Sequence, residues 1–348
     1  MNEELIKIYE LEEIIDKYEL FDEFNNNKEI EEWFNSLNKL QKKNFLNIDI
    51  DPEKGRKFSS ILINKNLLNK EDCIERLRAI ESIDNADGWE HLFDYLVTKE
   101  FLDSPKYFQD IEMLKKCDTA QYPLWIIGKK DFIDSPYHDI DFEKLASIDR
   151  SEDYRNFVVQ ENVAVVAGNK DSINSIHHEE DIDTIIRYGA SSLQMTSSFP
   201  ESSIGYLAIN PVSLKDKYHR ENMEILANYN DTDIGGYLYR IMINESAINN
   251  PNYREIVYDI VANKDNVKLC YLLCAYLVGF DEADRGTSLF NHALCLDLRI
   301  HCESNQEIFK LIDKKYNAID VEEAPLKELP EKRNKKERIL KRFRIFKK

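Results

Sequence analysis

Apolar positions in this chain recur in a fourteen-residue pattern that can be placed six times. The clearest copy is Phe132 to Leu145, reading Phe-Ile-Asp-Ser-Pro-Tyr-His-Asp-Ile-Asp-Phe-Glu-Lys-Leu. The copies start at Leu67, Phe101, Phe132, Ser172, Ser213 and Ala247, in steps of 34, 31, 40, 41 and 34 residues. Position two is aliphatic (Leu68, Leu102, Ile133, Ile173, Leu214, Ile248). Position eleven is apolar (Leu77, Ile111, Phe142, Ile182, Met223, Val257), and so is position fourteen (Ile80, Leu114, Leu145, Ile185, Leu226, Ile260). Position seven reads Cys73, Tyr107, His138, His178, His219 and Tyr253. Positions seven, eleven and fourteen are spaced i, i+4, i+7 and share one helix face. Positions three to five read Asp103-Ser104-Pro105, Asp134-Ser135-Pro136 and Asn249-Asn250-Pro251. A short polar side chain accepts from the first free amides of a helix, and proline at the first helical position wastes no donor. The helix is therefore expected to start there, with position two folding back as a hydrophobic staple.

A second apolar helix follows each copy. After Asp118-Thr119-Ala120 come Leu124, Trp125, Ile126 and Ile127; after Asp231-Thr232-Asp233 come Tyr237, Leu238, Ile241 and Met242. One such unit cannot bury its apolar face alone, whereas stacked neighbours can. From about Phe58 to Val278 the pattern resembles the α-solenoid class, such as HEAT and tetratricopeptide arrays. The resemblance is one of architecture, because the tetratricopeptide consensus of Trp, Gly, Tyr and Pro is absent and the repeat lengths vary. It implies an all-α fold, an α-solenoid of about six helix-turn-helix repeats with helical N- and C-terminal caps. The expected division is an N-terminal helical cap over 1–58, the array over 59–280, a C-terminal helical cap over 281–325 and a basic amphipathic tail over 326–348.

Outside the array, Ile30, Trp33, Phe34, Leu37 and Leu40 form an amphipathic stripe behind Asn25-Asn26-Asn27. Asp51-Pro52 opens a helix carrying Phe58, Ile61 and Leu62. Gly279 to Gly286 reads as a turn or loop, with Ser288 to Leu298 and Gln306 to Tyr316 as two closing helices. Ala324-Pro325 and Pro330 mark a linker. The two longest repeats carry extra residues between Arg155 and Gly168 and between Met195 and Ser203. Insertions in arrays map to one face, often the binding face. Phe157, Gln160, Phe199 and Glu201 are thus the expected partner contacts. Residues 195–203 read as a loop; 156–168 is β-branched and reads equally as helix or hairpin.

Charge changes this picture in one place. The chain of 348 residues has a net charge of −18. Residues 327–348 hold 11 Lys/Arg and 3 Glu, a net of +8, which leaves −26 on the other 326. Such an acidic body repels nucleic acid and anionic lipid. In the tail, Ile339, Leu340, Phe343 and Phe346 fall on a helical stripe among Lys335, Lys336, Arg338, Lys341, Arg342, Arg344, Lys347 and Lys348. A basic amphipathic segment suits an anionic membrane, nucleic acid, an acidic partner, or an acidic groove of its own chain. Ten Gly and nine Pro argue against a turn-rich all-β fold. The start Met-Asn-Glu-Glu has no basic or apolar run and no apolar run reaches 18 residues, so neither a signal peptide nor a membrane span is expected. The six cysteines form no CxxC, in keeping with a reduced cytoplasmic protein.

Candidate chemistry is sparse. His177-His178-Glu179-Glu180-Asp181 is not HExxH, and its acids suit a first helical turn. The column His138, His178, His219 reads as buried rings packing like tyrosine, with a pH-sensitive stack as the sharper reading. Cys270, Cys274, His292, Cys295, His301 and Cys302 have zinc-ligand chemistry in a largely apolar setting that suits buried thiols. Asp284, Arg285, Thr287, Ser288 and His292 have hydrolytic residue types without a spacing that requires them. No cofactor, metal or catalytic residue is assigned. The expected function is a protein–protein interaction scaffold or adaptor, with another protein as partner. The alternatives are nucleic-acid or anionic-membrane binding through residues 331–348, and an enzyme.

Overall fold

Short polar side chains set the helix starts. The computed structural model describes residues 3–86, 90–117, 120–148, 154–189, 204–229, 233–287, 289–304 and 307–317. Every regular element among them is helical, with no strand. The chain falls into two units, Met1–Leu193 with Ile204–Leu214, and Gln194–Ser203 with Lys215–Lys348. The division cuts the fifth copy between its positions two and three.

The first unit opens with helices Glu3–Tyr18, Asn27–Ser36, Lys39–Leu46, Pro52–Lys57 and Ser59–Leu62. The expected stripe of Ile30 to Leu40 is split between two of them. Asn38 and Gln41 form a capping box that starts a new helix, and Leu37 before it is extended. The Tyr18 hydroxyl, buried, donates towards the carbonyls of Ile48 (3.4 Å) and Ile50 (3.2 Å) and accepts from the Ile50 amide (3.2 Å). It ties the first helix to the loop before Asp51.

Each copy in this unit has three helical parts rather than two. Four-residue helices hold positions one and two: Lys65–Leu68, Lys99–Leu102, Lys130–Ile133 and Lys170–Ile173. Asn64, Thr98 and Asn169 cap three of them through their side chains. The amphipathic helices follow as Cys73–Glu81, Tyr107–Leu114, His138–Ala146 and His178–Gly189. They start at position seven, which corrects the expected start at Pro105 and Pro136. The cause is local. Ser104, Ser135 and Ser175 each accept at 3.1 Å from the amide two residues on, closing a turn that in the first two holds Pro105 and Pro136 ahead of the helix. Position two ends the short helix, with Leu68 and Leu102 buried.

Like packs on like from copy to copy. The Lys65 helix packs on the Lys99 helix, that on the Lys130 helix, and that on the Lys170 helix. The Cys73 helix packs on the Tyr107 helix, and that on the His138 helix. In the third row the 3₁₀ helix Glu90–Val97 packs on Gln121–Ile127, that on Tyr154–Ala167, and that on Ile204–Ala208. The segment 156–168 is thus helix, not hairpin, and Val163, Ala164, Val166 and Ala167 are buried in it. Small and β-branched side chains suit its place between two neighbouring helices.

The second unit comprises His219–Ala227, Asp233–Met242, Glu245–Ile248, Tyr253–Ala262, Val267–Val278, Phe280–Arg285, Leu289–Ser304 and Glu307–Asn317. Val267–Val278 packs on six of the others and buries Cys270, Tyr271, Leu273, Cys274, Ala275 and Leu277. Gly279 takes φ +87°, which turns the chain directly into a helix where a loop is expected. Gly236 and Gly286 meet backbone to backbone, so that a Cβ on Gly236 would overlap the Gly286 carbonyl oxygen.

Candidate functional site

Positions seven and ten of the pattern lie one turn apart on the buried face. Position ten reads Arg76, Asp110, Asp141, Asp181, Asn222 and Ile256. Within each unit, position seven of one copy meets position ten of the copy before. The Arg76 guanidinium lies 4.1 Å from the Tyr107 ring centroid. His138 Nε2 is 3.3 Å from Asp110 Oδ2, at an angle outside hydrogen-bond geometry. His178 Nε2 is 2.8 Å from Asp141 Oδ2. In the second unit, Asn222 Nδ2 donates to the Tyr253 hydroxyl at 2.8 Å. Position one adjusts to match. The Phe101 and Phe132 rings pack, tilted by 38° and 40°, against Tyr107 and His138 with centroids 4.7 and 4.6 Å apart, whereas Ser172 hydrogen-bonds His178 Nδ1 at 2.9 Å.

The two histidines of the first unit have different surroundings. His138 lies between two carboxylates, with Nδ1 3.1 Å from Asp139 Oδ1, which also accepts from Lys106 at 2.7 Å. Burial opposes charge on this imidazole, but Asp110 and then Asp139 outweigh it, and its pKa is raised. Burial likewise raises the Asp110 carboxyl, against the pull of His138. Lys106, and then His138, lowers Asp139. His178 instead spans one carboxylate and one hydroxyl, Asp141 and Ser172.

In the second unit a recess of about 450 Å³ opens between the turns of copies five and six. Lys215, Asp216, Lys217, Tyr218, Ile248, Asn249, Asn250, Pro251, Tyr253 and Arg254 line it. Its floor is a fixed polar cluster. Asp216 accepts from the Tyr218 amide (3.0 Å), Asn222 Nδ2 (2.8 Å) and the Tyr253 hydroxyl (3.2 Å). Arg254 donates to Asn222 Oδ1 (2.7 Å) and pairs with Glu221 (2.6 Å), its guanidinium 4.4 Å from the Tyr218 ring centroid. Burial, with Asp216 beside it, pushes the Tyr253 phenol up, so it stays protonated and donates.

The residues singled out from sequence are scattered. Gln160 is fully buried and its amide donates to the Leu145 carbonyl at 3.2 Å, which removes it from any partner surface. A backbone carbonyl left exposed by the end of one helix is what this amide satisfies. Phe157 lies on the Tyr154–Ala167 helix. Phe199, Glu201 and the tail positions Lys335, Lys336, Arg338, Lys341, Arg342, Phe343, Arg344 and Phe346 lie outside the described residues. Cys270 and Cys274 donate to backbone carbonyls of Asn263 (3.3 Å) and Tyr237 (3.7 Å), while His292 and His301 are exposed. Among the described residues no group of three His, Cys, Asp or Glu side chains is placed to hold a metal ion. Asp284 accepts from Tyr271 and Arg299, both at 2.6 Å, and Thr287 bonds the Ala283 carbonyl at 2.9 Å. These are helix-end and interhelical contacts.

Sequence reasoning missed position ten. The signal was present: a polar column in five of six copies, three residues after position seven, on a face that periodicity marks as apolar. No protein-family model matches this chain, and neither a curated protein nor a solved structure does. Among the described residues no helix is long and apolar enough to cross a membrane.

Proposed function

We propose that this chain is an α-solenoid of about six helical repeats that works as a protein–protein interaction scaffold. The observation that supports this most is the pairing of position seven with position ten of the preceding copy, because equivalent residues meet equivalently only when repeats stack in register. Stacked repeats make extended surfaces suited to a protein partner; the step from architecture to role is by analogy of fold. Phe108, Ile140 and Ile176 are exposed on successive copies, Ile176 at 93%. They replace Gln160 in the proposed partner surface.

The test is capture from native lysate with the full chain and with an Ile140→Asp/Ile176→Asp variant. Recovery of one protein by the wild type and its loss in the variant supports the scaffold. Equal recovery by both removes this surface from the reading. The segregation of +8 onto residues 327–348 favours a second reading, in which the tail binds an anionic polymer or membrane. That binding falls steeply with salt and is lost on truncation after Pro330.

A further inference from the structure

Lys215 and Lys217 both line the recess of the second unit, in a chain whose net charge is −18. Neither has a carboxylate within ion-pair distance among the described residues; Lys217 lies only over the Tyr218 ring, 4.8 Å from its centroid. Both free cations border the recess of the second unit. Asp216, the acid of that recess, is turned inward and saturated by three donors. Arg254 is likewise spent on Glu221 and Asn222.

We infer that this recess docks an acidic peptide segment of a partner protein. The inference rests on the scaffold reading and names the partner's chemistry. A carboxylate side chain meets Lys215 and Lys217 at the rim. Asn250 uses its oxygen on the Asn252 amide (2.9 Å), which leaves its NH₂ group to donate to a peptide carbonyl. Ile248, Pro251 and the Tyr218 ring give an apolar wall for a neighbouring side chain. The floor is held by bonds that ligand binding need not form, so little ordering is lost on docking. The volume falls within the roughly 300–1,000 Å³ of ligand-sized sites, and the open side between two turns suits a chain passing through rather than an enclosed small molecule.

The experiment uses the full chain and a fluorescein-labelled Glu–Tyr copolymer, followed by anisotropy. Because residues 327–348 also attract an acidic probe, the readout is the difference between wild type and Lys215→Glu/Lys217→Glu. Both lysines are exposed in a turn, and circular dichroism confirms that the variant is folded. About tenfold weaker binding in the variant, and weakening in Asn250→Asp, is expected. Unchanged affinity in both variants overturns the site. So does equal binding of a Lys–Tyr copolymer, or displacement of the probe by millimolar inorganic phosphate, which would make the site one for a free anion. If lysate capture survives in Lys215→Glu/Lys217→Glu while probe affinity is unchanged, this site falls and the scaffold reading stands.

Discussion

His178 Nε2 lies 2.8 Å from Asp141 Oδ2, and both side chains are at most 1% exposed, although 37 residues separate them. The bond joins one copy of the pattern to the next. Removing Asp141 leaves a buried ring nitrogen unpaired, at a cost of about 1–3 kcal/mol. Asp141→Ala should therefore lower the melting temperature by several degrees. Asp141→Asn keeps an acceptor and should recover part of that loss. Equal destabilisation by both would show that the bond is not what matters there.

His138 gives a pH dependence with a definite sign. Its folded pKa is raised above the unfolded value of about 6.5, chiefly by Asp110 against the opposing burial. The folded state then binds more protons than the unfolded one above that pH. The stabilisation is fully present below about pH 6.5 and is lost as pH rises through the folded pKa. The raised Asp110 acts in the same direction from its own unfolded value upward. Urea midpoints from pH 6 to 9 should fall for the wild type and fall less for His138→Gln. Parallel curves would refute the assignment.

Gly236 packs against Gly286 with no room for a methyl group. Gly236→Ala forces backbone to move and should cost about 1–3 kcal/mol. Gly279→Ala is the contrasting case: nothing lies within 4 Å, and only its φ of +87° resists a side chain. Denaturant midpoints for both variants separate crowding from backbone strain; a neutral Gly236→Ala would contradict the close approach.

All six cysteines are buried, and burial pushes the Cys73 and Cys270 thiols up to about 12. Thiol labelling at pH 8 should be slow in the folded protein and rapid in urea, in six equivalents. A cysteine that labels at once in the folded state would mark a local opening.

Much of the fold was legible in the chain. The spacing of Leu77 with Ile80 and of Phe142 with Leu145 located the amphipathic helices, because a helix face repeats at intervals fixed by its own geometry. Their starts were misread by position, since the serine turns at Ser104 and Ser135 satisfy amides that Asp-Ser-Pro alone seemed to offer to the helix. The acidic body and basic tail were readable from counting charges.

The candidate sites were not. Gln160 reads as a polar residue in an insertion, and only packing of the Tyr154–Ala167 helix between its neighbours shows that it is buried. Neither Asp216 nor Lys215 carries a motif; that Asp216 is enclosed depends in part on Tyr253 of copy six, 37 residues away. The sequence by itself determined which faces must be buried, because hydrophobic periodicity is a local property. Which polar residue on such a face meets which, His178 with Asp141 or Tyr253 with Asn222, was decided only when one copy packed against the next, because a buried polar group is satisfied by whatever the neighbouring helix brings to it.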